Sequence, residues 1–223
     1  MLIAFEGMDG VGKSTISSSV AKRLGIKHET QKMVSMLDIK QETFDKFVKS
    51  LRKADNDKLA LLFFTFRCML DKEGKEDLIV ERSMLSTYFY EHNKVSEDEF
   101  RFLLKVGTIP DLLFILYASV DERRKRIIGR NNMDEDLKSS EAMSDGYKEM
   151  LECAYKYNIP YIGINTEKYD YEDIVDLCSH IILRFKNMKE NEKIGFIEEM
   201  NNEFGFDNLY KERVLFRWIK SMI

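Results

Sequence analysis

The chain has 223 residues, 44% of them hydrophobic and 33% charged, with a formal net charge of -4. That length suits a single α/β domain, and without a strong basic field a duplex nucleic-acid partner is not expected. The 3 cysteines, Cys68, Cys153 and Cys178, are odd in number and widely spaced, so they build neither a disulfide ladder nor metal-ligand pairs and read as free thiols.

The elements follow in chain order. Residues 2–5 are a short apolar run cut off by glycine, a buried strand. Residues 13–24 carry Ile16, Val20, Ala21 and Leu24 at helical spacing, with Gly25 at the helix stop. A weak strand is expected within 27–35. An amphipathic helix with Phe44, Phe47, Val48 and Leu51 on one face follows over 38–55, and a more apolar helix over 56–74. Residues 77–81 read as a second buried strand, followed by helices over 84–91 and 97–106. Residues 110–119 form the next strand. A helix, a charged loop and a second helix occupy 121–158. The last strand is expected over 160–166, and a helix over 170–188 turns Ile174, Leu177, Cys178, Ile181 and Ile182 inward.

Strands alternating with helices, each strand a near-continuous apolar run, predict an α/β fold with a doubly wound, five-stranded parallel sheet covered on both faces. The charged run at 186–193 reads as a solvated helix end, and the cluster Leu215, Phe216 and Trp218 as a helix packed on the body or a subunit contact. No basic segment followed by an apolar core opens the sequence, and no apolar run approaches the ~20 residues of a membrane span, so a cytoplasmic chain without a membrane partner is expected.

Gly7-Met8-Asp9-Gly10-Val11-Gly12-Lys13-Ser14 fits the pattern G-x-x-x-x-G-K-[ST] between a predicted strand and a predicted helix. Glycines let the backbone wrap an anion, inward N–H groups and the helix N-terminus supply positive potential, and Lys13 reaches the β- and γ-phosphates. Gly7, Gly10, Val11, Gly12, Lys13, Ser14 and Thr15 are therefore the candidate ATP site, with Mg²⁺ entering alongside ATP and the Ser14 hydroxyl as a metal ligand. Ligands in a doubly wound sheet lie beyond the carboxyl ends of the strands. There the first strand offers Glu6 and the loop acid Asp9, the second Glu81, Arg82 and Ser83, and the third Ser119 and Asp121. Glu81 joins Ser14 as the candidate metal pair. Glu6 either orders metal-bound water or bonds loop amides. Arg82 directly after the acid suits a phosphoryl acceptor. The base-reading motif of a switch GTPase is missing after the third strand, and the three histidines are isolated.

The sequence resembles the thymidylate kinase family, within the nucleoside and nucleoside-monophosphate kinase group. "FEGMDGVGKST", "LLFFTFR", "ERSMLSTYFY" and "PDLLFIL" are similar to its segments and fall in its order over about residues 1–165. The resemblance implies ATP-dependent phosphoryl transfer to a deoxynucleotide, with thymidine monophosphate as the acceptor and a homodimeric assembly. It implies that Asp9 contacts the 3′-hydroxyl of the acceptor sugar, that Phe63 and Arg67 stack on and hydrogen-bond the base, and that Arg82 and Tyr90 complete the acceptor site. It also implies a lid at about 123–140. The alternation of elements places the P-loop kinase domain over 1–188, with 189–223 as a helical extension packed on it. Arg123, Arg124, Arg126 and Arg130 crowd the lid region, with Arg126 and Arg130 best spaced to stabilise charge on the transferring phosphoryl group. Two departures keep other readings open. Glu81-Arg82-Ser83 is closer to deoxynucleoside kinases, and residues 27–40 lack the family's Pro and Arg after the second strand. A deoxynucleoside acceptor is the second reading, and a nucleotide-binding regulatory protein the third.

Overall fold

The computed structural model describes residues 1–29, 38–53, 76–91, 96–107, 109–130 and 146–204. Within them lie five strands: β1 (Leu2–Gly7), β2 (Lys27–Glu29), β3 (Leu78–Glu81), β4 (Leu112–Tyr117) and β5 (Tyr161–Asn165). The helices are α1 (Lys13–Leu24), α2 (Gln41–Lys53), α3 (Met84–Glu91), α4 (Glu97–Val106), α5 (Val120–Arg130), α6 (Gly146–Lys156), α7 (Tyr171–Asn187) and α8 (Glu190–Phe204). The strands form one parallel sheet in the order β2-β3-β1-β4-β5. The chain thus winds outward from β1 in both directions, and the switch point lies at the carboxyl end of β1, where the glycine-rich loop begins.

Period-2 alternation splits the strands between two cores. Ile3 and Phe5 of β1 and Leu112, Phe114 and Leu116 of β4 face the core that includes α1, α7 and α8. Ala4, Leu113 and Ile115 face the core that includes α3, α4 and α6. All of these strand residues are fully buried, which is why β1 and β4 read as unbroken apolar runs rather than alternating ones. α4 starts with a capping box: Glu99 N–H donates to the Ser96 hydroxyl, and Ser96 N–H donates back to the Glu99 carboxylate.

β1 runs two residues beyond the expected apolar segment, because β4 continues to pair with it through Glu6 and Gly7. A polar residue and a glycine at a strand end look like a loop until the partner strand is placed. β2 is described only as Lys27–Glu29, and the rest of the expected strand lies outside the described residues. So do the expected helix over 56–74 and the cluster Leu215, Phe216 and Trp218. The charged run at 186–193 spans the end of α7 and the start of α8, whose Phe196 and Met200 enter the core. On the edge strand β5, Asn201 accepts from Gly163 N–H at 2.8 Å and donates to the Tyr161 carbonyl at 2.7 Å. The amide thereby satisfies backbone groups that an edge strand leaves open.

Candidate active site

The glycine-rich loop leaves β1 at Gly7 and closes into α1 at Gly12, the N-cap residue. Two of its glycines are required by close approach. A side chain on Gly7 would run into the Leu116 carbonyl, and one on Gly10 would lie 2.8 Å from the Arg123 carbonyl oxygen. Both also have φ in the positive range, at 139° and 81°, which side-chain-bearing residues rarely adopt. The backbone is therefore free to wrap inward only because these positions lack a Cβ.

Lys13, 7% exposed, folds back over the loop and donates to the Met8 carbonyl at 2.9 Å. Its Nζ is also 3.4 Å from Asp9 Oδ1. Burial, and then repulsion from Arg82, lowers the ammonium to about 8, against the pull of Asp9 and Glu6. Arg82 reaches the same Asp9 oxygen at 2.6 Å. Burial raises the Asp9 carboxyl, but Lys13 and Arg82 outweigh it and hold the group below its ordinary value. One carboxylate oxygen thus joins the lysine of the P-loop to the arginine at the end of β3.

Arg82 has φ 64°. A non-glycine residue in the left-handed region costs on the order of 1–3 kcal/mol and persists only where its surroundings hold it. Its N–H donates to the Phe5 carbonyl at 2.9 Å, extending the β1–β3 ladder by one bond. Beyond it, Ser83 caps α3, its hydroxyl accepting from Leu85 N–H at 3.2 Å. Glu6 is fully buried, and its carboxylate accepts from the backbone and hydroxyl of both Ser83 and Ser86. Of the two roles open to Glu6 from the sequence, it is bonding of amides that the geometry displays.

At the other side of α1, the Ser14 hydroxyl donates to Glu81 Oε2 at 2.6 Å. The proposed metal pair therefore meets, from residues 67 positions apart. His28, on β2, belongs to the same network. Its Nε2 is 2.9 Å from the Ser17 hydroxyl and 3.5 Å from Glu81 Oε1. His28, isolated in the sequence, is therefore not isolated in the fold, because β2 lies beside β3 and brings it to Glu81. The Ser14 and Glu81 oxygens suit Mg²⁺, a hard cation that takes oxygen ligands. Among the described residues, no group of three or more His, Cys, Asp or Glu side chains gathers to hold a metal without a nucleotide.

Arg126, on α5, faces the donor loop. Its guanidinium donates to the Val11 carbonyl at 3.3 Å, the Thr166 hydroxyl at 2.9 Å and the Thr166 carbonyl at 3.0 Å, and its Nε to Glu122 at 2.9 Å. Thr166, just past β5, is nearly buried and also donates to the Tyr117 carbonyl at 3.0 Å. Threonine at a strand end has no spacing signal, so it was not singled out. Arg130 is the exposed last residue of α5. Arg123, by contrast, is buried, with its guanidinium 5.8 Å from the centre of the Tyr147 ring. The Tyr147 hydroxyl accepts from Met8 N–H at 3.4 Å and so ties α6 to the donor loop. Phe63, Arg67 and the lid positions after Arg130 lie outside the described residues, as does the side chain of Tyr90 on α3.

Residues 5–176 match the thymidylate kinase family model. The chain belongs to the thymidylate kinase family. As a member of that family it is a P-loop phosphotransferase of the nucleoside-monophosphate kinase class. A protein of Sulfolobus acidocaldarius named "Probable thymidylate kinase" is 29% identical over 196 residues, covering 83% of this chain and 98% of its own. Among solved structures, thymidylate kinase from Candida albicans has a TM-score of 0.60 at 20% identity, covering 83% of this chain and 92% of that one. Deoxyadenosine kinase from M. mycoides has a TM-score of 0.58 at 22% identity, covering 82% of this chain and 99% of that one. At those identities the two structures speak for the fold, and the thymidylate kinase assignment rests on the family match.

Proposed function

We propose that this chain transfers the γ-phosphoryl group of ATP to thymidine monophosphate, forming thymidine diphosphate and ADP. The observation that carries the choice of acceptor is the family match, and the pairing of Lys13 and Arg82 on one oxygen of Asp9 is the geometry that supports it. The two cations come from different elements, the donor loop and the end of β3, so each is placed to serve its own anion. Lys13, from the donor loop, follows the γ-phosphoryl group, and Arg82, from the neighbouring strand end, grips the phosphate of the acceptor.

The remaining roles follow from position. Gly7, Gly10, Val11, Gly12, Ser14 and Thr15 hold the triphosphate through backbone N–H groups and the α1 N-terminus. Asp9, released from its cations by the two phosphates, accepts from the 3′-hydroxyl of the acceptor sugar. Phe63 and Arg67 receive the base, Tyr90 completes the acceptor site, and Arg126 and Arg130 stabilise charge on the transferring phosphoryl group. Ser14 and Glu81 hold the Mg²⁺ that accompanies ATP, which neutralises charge on the phosphate oxygens when bound. Catalysis is then positioning and charge stabilisation, with no covalent intermediate on the protein. We assign residues 1–188 to the kinase unit and 189–223 to an extension packed on it. A homodimer is the assembly that membership of the family favours. We assign the enzyme to the cytoplasm; among the described residues no helix is long and apolar enough to cross a membrane.

The test is ADP release with a panel of nucleosides and nucleoside monophosphates. Thymidine monophosphate should give the highest kcat/KM. Turnover with thymidine but not with its monophosphate would move the acceptor class to deoxynucleosides. ATP binding without any acceptor-dependent turnover would make this a nucleotide-binding protein instead.

A further inference from the structure

Arg82 is aimed by a device that begins on a different strand. Glu6, at the end of β1, is fully buried, and four donors converge on it. Oε1 accepts from Ser83 N–H, from the Ser83 hydroxyl at 2.8 Å and from Ser86 N–H at 3.0 Å. Oε2 accepts from the Ser86 hydroxyl at 2.6 Å. A serine hydroxyl has one proton to donate, and Ser86 donates it to the Glu6 carboxylate. The lone pairs of Ser86 Oγ are then the side left for Arg82, whose Nη1 donates to it at 3.4 Å. Nη2 donates to Asp9 at 2.6 Å.

The backbone is held in the same way. Arg82 N–H is bound to β1 through Phe5, and the next N–H, of Ser83, is bound to Glu6, also on β1. Arg82 lies between these two attachments in the left-handed conformation that turns β3 into α3. A buried carboxylate without these donors would be strongly disfavoured, so Glu6 and the segment 82–86 fix one another.

We propose that Glu6 is a positioning residue for Arg82: its carboxylate fixes the backbone around Arg82 and, through the Ser86 hydroxyl, directs the guanidinium toward the acceptor phosphate. This rests on the reading of Arg82 as the acceptor-phosphate ligand. Glu6 itself touches neither substrate.

Ser83 provides the control. Its hydroxyl also donates to Glu6 but accepts from Leu85 N–H, where that of Ser86 accepts from Arg82. The experiment measures acceptor Kd and steady-state constants for Ser86→Ala, Ser83→Ala, Glu6→Gln and Arg82→Ala, and for the double variant Ser86→Ala/Arg82→Ala. Ser86→Ala should weaken acceptor binding about tenfold, the scale of a hydrogen bond to a charged group, with KM for ATP unchanged. Ser83→Ala should lower Tm and leave acceptor Kd as it is. In the Arg82→Ala background, Ser86→Ala should have no further effect on acceptor Kd. Glu6→Gln, where it folds, should weaken acceptor binding at least as much as Ser86→Ala. Where it does not fold, the serine variants and the double variant decide. If Arg82→Ala weakens acceptor binding while Ser86→Ala leaves it intact, or if the two losses simply add, the positioning role is overturned and the reading of Arg82 stands. If Arg82→Ala binds the acceptor normally, the reading of Arg82 is overturned, and the proposal with it.

Discussion

Asp9 and Arg82 are 73 residues apart in sequence, yet their side chains are joined at 2.6 Å. Lys13 shares the same carboxylate oxygen at 3.4 Å. Asp9→Asn keeps the size and removes the charge. Acceptor binding should weaken by about 1–3 kcal/mol, since a charged acceptor of the sugar hydroxyl is lost. A 3′-deoxy acceptor should then bind the variant no worse than the normal acceptor does. Equal losses from 3′-deoxygenation in wild type and variant would remove Asp9 from that hydroxyl.

Arg82 distinguishes a monophosphate acceptor from a nucleoside. A monophosphate presents its phosphate in both the ground state and the transition state, so Arg82→Ala should raise acceptor KM and also lower kcat. With a nucleoside, kcat should fall while KM scarcely moves. Arg82→Lys should not restore the monophosphate reaction, because a lysine lacks the planar two-donor fork. Steady-state kinetics of the three enzymes on the preferred acceptor decide it, and unchanged constants would place Arg82 outside the site.

Lys13→Ala should cut turnover by orders of magnitude in a folded protein, because charge on the transferring group loses its partner. The Lys13 ammonium, lowered to about 8 by burial, also predicts a proton linkage. Bound phosphates favour the charged lysine, so nucleotide binding above pH 8 should take up a proton, and affinity should fall as pH rises through about 8. The sign for folding is the reverse of a stabilising lysine. Between about 8 and 10.5 the unfolded chain holds more protons on this group, so its contribution to stability rises with pH across that window and is a cost below it. Calorimetry of ATP binding in buffers of different ionisation heat reads the uptake, and none at pH 8.5 would rule the linkage out.

Ser14 and Glu81 meet at 2.6 Å. If they hold Mg²⁺, Glu81→Gln should raise the Mg²⁺ concentration needed for half-maximal turnover about tenfold or more while ATP binding without Mg²⁺ stays near wild type. An unaltered Mg²⁺ requirement would take Glu81 out of the metal site. Ser14→Ala should act in the same direction.

Gly10→Ala probes the loop itself. The added methyl would lie 2.8 Å from the Arg123 carbonyl oxygen and near the Ile127 side chain, at φ 81°. A loss of about 1–3 kcal/mol of stability is expected, together with weaker ATP binding. Thermal unfolding with and without ATP measures both, and a variant matching wild type in Tm would mean that the loop relaxes without strain.

The donor loop was legible in the sequence because its chemistry is local. Gly7 to Ser14 run from the end of one strand into the start of one helix, and the spacing alone puts the glycines where backbone N–H groups must converge. The alternation of apolar runs with helical periods likewise determined a parallel sheet covered on both faces, since buried strands and crossover helices leave separate periodicities. The rest of the site depended on strand order. Only when β3 lies between β2 and β1 do Glu81 meet Ser14, His28 meet Ser17, and Arg82 meet Asp9. Glu6 could be read as a metal-water ligand or an amide acceptor until its donors, 77 and 80 residues away, were in place. Thr166 and the fixed guanidinium of Arg126 depend in the same way on β5 lying beside β4, which brings Thr166 to the donor loop. Periodicity reports which face of an element is buried. It carries no record of which strand becomes the neighbour, and a hydrogen bond of about 3 Å exists only between neighbours.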